Sequence, residues 1–121
     1  MKRIFRYLKF TPEFGLWFSA DSSLLLVGFS DADFGGCRLD RKSTSGTCQF
    51  LDTSLASWSS RKQASVVLSS TEVEYIAAAS CCSQILWMKQ TLQDFGLSFD
   101  RVPIFIDNMS AISIAVSILA L

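Results

Sequence analysis

The sequence contains no histidine. That absence removes Ser-His-Asp and Cys-His nucleophilic catalysis, and with them the commonest metal ligand. Cysteine is sparse. Cys37, Cys48, Cys81 and Cys82 show no C-x-x-C spacing, which argues against a zinc site. They read instead as reduced, mostly buried thiols of an intracellular protein of the cytoplasm or nucleus, not a secreted one. Net charge is missing too, because 11 Lys plus Arg balance 11 Asp plus Glu. No global electrostatic footprint announces a nucleic acid, so any such surface has to be local. Long apolar runs are also absent. The last twelve residues, "SAISIAVSILAL", are apolar but too short to span a bilayer, so no membrane partner is expected. The opening "MKRIFRYLKF" is basic and lacks the apolar region and cleavage site of a signal peptide.

What is present suffices for a core. Half of the 121 residues are hydrophobic and 18% are charged, the profile of one ordered domain. Residues 1–10 read as a helix tail with Lys2, Arg3, Arg6 and Lys9 opposite Ile4, Phe5 and Leu8, broken at Thr11-Pro12. "GLWF" (15–18) reads as a short edge strand. "LLLVGFS" (24–30) is a continuous apolar run, expected to be a central strand buried on both faces. "RLDRKSTSG" (38–46) is a polar, basic connection, and "TCQFL" (47–51) and "LASWS" (55–59) form a hairpin. A long helix is predicted from Thr71 to Phe95 with Gly96 just beyond it. "VPIFID" (102–107) is a strand, and a last helix starts near Asn108.

Short connections make the first three main strands an antiparallel meander. A helical crossover then returns the chain parallel to the first strand. The upper ends of strands 24–30 and 102–107 therefore share a sheet edge with the start of the long helix, where ligands of such sheets sit. Asp31 and Asp107 end those strands. On the helix, Glu74 shares a stripe with Ala77, Ala78, Cys81, Ile85, Met88, Leu92 and Phe95, which has to face the sheet. Glu72 falls with Ser83, Gln90 and Asp94, towards solvent. Each acid has a bland reading. Glu74 fits a Thr71-x-x-Glu74 capping box, although Ser69 and Glu72 fit the same pattern. Asp107 fits a helix-start residue, and Asp31 fits turn chemistry before Gly35-Gly36. Together the three repel one another unless a cation neutralises them, and oxygen ligands suit Mg²⁺ or Mn²⁺.

The segments "RYLKFTPEFGLWFS", "VGFSDADFGGCRLDRKSTSGTCQFL", "SWSSRKQASVVLSSTEVEYIAAAS", "LWMKQTL" and "IFIDNMSAISIA" resemble the ribonuclease H domain of copia-type retrotransposon Pol polyproteins. The resemblance runs nearly unbroken from residue 2 to about 115, and "DRKSTSG" and "LSSTEVEY" are its most specific parts. It implies a ribonuclease H-like α/β fold: a mixed sheet, made of a three-strand meander plus a parallel strand, with a long crossover helix. Residues 1–14 would be the tail of an upstream reverse transcriptase region and 15–121 the domain. The implied reaction is endonucleolytic hydrolysis of the RNA strand of an RNA–DNA hybrid. Two Mg²⁺ (or Mn²⁺) ions would serve it, held by Asp31, Glu74, Asp107 and a fourth carboxylate. Asp33 would take a supporting role. After "SAISIA" this sequence reads "VSILAL", with no acid for the fourth place, so the expectation is a domain incomplete at its C-terminus that lacks the carboxylate helping to hold the second ion.

Arg38, Arg41 and Lys42 in the first basic loop, and Arg61 and Lys62 before the helix, are candidate phosphate contacts, or else solvated loop charges. Trp58 and Trp87 read as core residues rather than base-stacking platforms, and Trp17 as either. A second reading of the whole is a catalytically inactive retroelement remnant with at most weak nucleic-acid or partner binding. Its apolar last helix would offer a surface for self-association. A third, another Mg²⁺-dependent phosphotransferase built on Asp31-x-Asp33, explains neither Glu74 nor Asp107.

Overall fold

The structure, a computed structural model, describes residues 1–20 and 24–107. Within them the elements run α1 (Lys2–Phe10), β1 (Leu26–Asp33), β2 (Thr44–Leu51), β3 (Ser54–Lys62), α2 (Ser70–Asp94) and β4 (Ile104–Ile106). The sheet has the order β3-β2-β1-β4. β1 pairs antiparallel with β2, and β2 with β3, while β4 lies parallel to β1 with Phe29 opposite Phe105. This is the predicted mixed sheet with its helical crossover. The last helix expected near Asn108, and its self-association, lie outside the described residues.

α2 packs across one face of β1 and β2. It buries Val73, Ala77, Ala78, Cys81, Ile85 and Met88, largely the stripe expected from a 3.6-residue period. Phe95 departs from that stripe and is 79% exposed, because it is the C-cap residue where the helix ends. The end is a Schellman motif. Gly96 takes φ +82 and its N–H donates to Gln93 O at 3.0 Å, while Leu97 N–H donates to Leu92 O at 3.0 Å. At the other end Ser69 is the N-cap, with no side-chain cap bond. Thr71 therefore lies inside the first turn rather than at the cap, and Glu74 stands two residues beyond the box position, which Glu72 occupies.

Four expectations need correction. Residues 15–18 form no strand, and Leu16, Trp17 and Phe18 are exposed. Among the described residues, β1 is covered on one face only. A Cβ on Gly28 would stand 3.0 Å from Cys81 Sγ under α2, whereas the next residue, Phe29, points to the other face and is 41% exposed. The stretch "STSG" belongs mostly to β2 rather than to a loop, since its buried face is built from Ser45, Thr47 and Gln49. Polar residues facing a helix hide the alternation that would have marked the strand. Finally, only Cys81 among the four free thiols is fully buried.

α1 buries none of its residues and, among the described residues, packs on no other element. No helix of the described residues is long and apolar enough to cross a membrane.

Candidate active site

Strand alternation fixes where the first acid goes. Gly28 and Ser30 face α2, so Phe29 and Asp31 project to the opposite side. β4 copies this arrangement. Its Ile104 packs into the core with Cys81 and Ile85, and its Phe105 stacks on Phe29 with ring centroids 5.2 Å apart. Asp107 follows immediately after the strand. Asp31 and Asp107 accordingly line one cavity of about 590 Å³, walled by Phe29, Cys48 and Phe105. Glu74 approaches the same edge from the helix side.

Glu74 feels the other two charges. The Glu74 carboxyl is pushed above its usual value, first by burial and then by the negative charges of Asp31 and Asp107. The Ala32 backbone N–H opposes that rise, and it also donates to Asp31 Oδ1 at 2.8 Å. Glu74 Oε2 is buried with no hydrogen-bond partner. A buried carboxylate oxygen left unpaired is costly and calls for a counter-charge. The acids reach the edge from opposite faces of the sheet, and among the described residues no three metal-ligating side chains form a closed group. The donor set is oxygen only, which suits a hard divalent cation.

Asp33 lies apart from this convergence. A Cβ added to Gly36 would collide with its Oδ2, so it sits against the Gly35-Gly36 turn. It shares a shallow cavity of about 320 Å³ with Asp31, Thr44 and Ser60.

The basic residues separate into two groups. Arg38, Arg41 and Lys42 stay in the β1–β2 loop, where Arg41 takes φ 57. Arg61 and Lys62 end β3. Lys62 Nζ donates to Asp40 Oδ2 at 2.8 Å, which holds the Asp40 carboxyl far below its usual range and raises Lys62. Lys62 thus ties the loop to β3. Cys37 shares this corner, its thiol lowered chiefly by the Asp40 backbone N–H.

Sequence reasoning missed a polar frame beneath the site. Gln63 is 6% exposed, and its Nε2 donates to Ser45 Oγ at 2.9 Å and to Val73 O at 3.1 Å. It therefore fastens the end of β3 to the first turn of α2, one residue before Glu74. Ser43 Oγ accepts from Gly35 N–H at 2.9 Å and steadies the turn after Asp33. Glutamine and serine in a polar stretch resemble loop residues, so composition gives no signal for either role.

These features define a class: an α/β domain with three coupled carboxylates at the carboxyl edge of a mixed sheet. Comparison with known proteins gives the family. The chain is 41% identical over 112 residues to the "Retrovirus-related Pol polyprotein from transposon RE1" of Arabidopsis thaliana, covering 92% of the chain and 8% of that protein. To the corresponding polyprotein from transposon TNT 1-94 of Nicotiana tabacum it is 37% identical over 115 residues, covering 95% of the chain and 9% of that protein. It is also 43% identical over 88 residues to "Secreted RxLR effector protein 161" of Plasmopara viticola, covering 73% of the chain and 62% of that protein. No family model and no solved structure matches it. The chain is derived from a copia-type retrotransposon Pol polyprotein, and it spans less than a tenth of the length of those polyproteins.

Proposed function

We propose that the chain is a ribonuclease H-like domain whose reaction is divalent-metal-dependent hydrolysis of the RNA strand of RNA–DNA hybrids. The observation that carries this reading is Glu74: its Oε2 is buried and unpartnered at an edge where Asp31 and Asp107 act on it electrostatically. The three carboxylates would hold Mg²⁺ or Mn²⁺. A hard cation there would supply Lewis-acid polarisation of a phosphodiester and a water nucleophile at neutral pH. The chain's own contribution is placement. β1 and β4, in parallel register, carry Asp31 and Asp107 to one edge, the Ala32 N–H orients Asp31, and Gln63 fixes the turn that presents Glu74. Arg38, Arg41, Lys42 and Arg61 are the candidate phosphate contacts, with Lys62 already engaged by Asp40. Asp33 supports the turn beside Asp31.

Among the described residues no three metal-ligating side chains form a closed group, and this favours the second reading, an inactive remnant. One assay separates the two. A labelled hybrid is incubated with the protein in Mg²⁺ and in Mn²⁺, beside an Asp31→Asn control. Cleavage above that control, lost also in Glu74→Gln and Asp107→Asn, supports the enzyme. The loss expected per carboxylate is of order 100-fold or more, as for other groups that stabilise charge in a transition state. Cleavage equal to the control leaves the remnant.

A further inference from the structure

Two tryptophans expected in the core stand in solvent. Trp58 is 67% exposed and Trp87 62%. Both line a groove of about 560 Å³ between β3 and α2. The rest of its wall is polar, with Arg61, Gln84 and serine hydroxyls from both elements, and none of its lining residues is acidic. Gln84 Nε2 donates to Ser57 Oγ at 3.2 Å, which joins the two sides. Thr47 and Ser59 line both this groove and the carboxylate cavity.

We propose that this groove is a second nucleic-acid subsite that holds one strand by base stacking on Trp58 and Trp87 and by a phosphate contact from Arg61. The chemistry differs from that of the sheet edge. The edge is acidic and repels phosphate until a cation intervenes, whereas the groove carries a guanidinium and no carboxylate. Every base has a π-face, so exposed aromatic rings beside a cation bind single strands with little sequence preference. A protein partner fits this wall poorly, because serine is depleted from protein–protein interfaces and these two sides are rich in it. The subsite rests on the proposed nucleic-acid function and extends it away from the reacting phosphate.

The test uses a labelled 20-nucleotide single strand and the full chain carrying Asp31→Asn, so that nothing is cut. Trp58→Ala and Trp87→Ala are each expected to weaken binding about 10-fold, within the range for one stacked base. Phe at either position is expected to restore most of the affinity. Arg61→Ala is expected to reduce the slope of log affinity against log salt by about 0.7. In a Trp17→Phe background the strand is expected to quench the remaining tryptophan fluorescence. Unchanged affinity in both alanine variants, with melting temperatures preserved, overturns the inference. The two proposals fail separately. Cleavage that depends on the carboxylates with tryptophan-independent binding sinks only the groove. Tryptophan-dependent binding with no cleavage sinks only the nuclease.

Discussion

Glu74 is held in place at the expense of its own charge. Burial and two neighbouring carboxylates raise its pKa above the usual 4.5, so the folded chain binds this proton more tightly than the unfolded chain does. Its contribution to stability is therefore most favourable below about pH 4.5 and is lost as pH rises through the folded value. Glu74→Gln is expected to melt at a higher temperature than the parent at pH 7 without divalent ions, and the gain is expected to vanish at pH 4. Melts across that range decide it: a gain independent of pH would mean that the charge is not the cause. Glu74 was visible in the sequence because helical periodicity sets it on the face that packs against the sheet. Gln49, fully buried with its Nε2 3.6 Å from Cys81 Sγ, was not visible, because a glutamine in an alternating stretch gives no sign that it points inward. The exposed Trp58 and Trp87 failed in the opposite sense, since size and hydrophobicity argue for the core.

At the scale of elements, the decisive contact is α2 on β1. Gly28 permits it: an added Cβ would meet Cys81 Sγ at 3.0 Å and two Ile85 atoms at 3.3 Å. Gly28→Ala is expected to cost about 1–3 kcal/mol by overpacking, measured by urea unfolding. Cys81→Ala opens space at the nearer contact, so the double variant is expected to lose less than the sum of the two single losses. Strict additivity would place the clash elsewhere. Gly96 has a separate role, where a side chain at φ +82 strains the Schellman end of α2. Gly96→Ala is expected to cost about 1 kcal/mol, while Gly15→Ala, with nothing within 4 Å of the added carbon, serves as the control. The helix and its Gly96 stop were legible from periodicity and turn chemistry. The start of β2 was not, because tertiary packing against α2, rather than hydrophobic alternation, holds Ser45 and Thr47 inside.

Among the described residues the sheet is asymmetric. α2 covers one face, while the other carries the Phe29, Phe50 and Phe105 cluster beside Asp31 and Asp107. The topology was readable because a short-looped meander followed by a helical crossover leaves little choice of strand direction. The open face was not, since an apolar run such as "LLLV" has the same pattern whether one face or both are covered. This asymmetry sets the electrostatics of the edge. Acids arriving from opposite faces repel across the end of the sheet, and a cation between them would join strand β1, strand β4 and helix α2. An ion that binds only the folded chain stabilises it by mass action, and at ten times its dissociation constant the gain is about 1.4 kcal/mol. For a domain of this size that is about 5 °C in melting temperature. Mg²⁺ or Mn²⁺ titration is thus expected to raise the melting temperature in a saturable way for the parent chain. The same titration is expected to leave Asp31→Asn with Asp107→Asn flat, while Asp33→Asn keeps most of the response because its carboxylate rests on the Gly36 turn. A flat parent curve to millimolar metal would count against the carboxylate edge as a metal site. An equal loss in Asp33→Asn would move the first ligand two residues along β1, to its last residue.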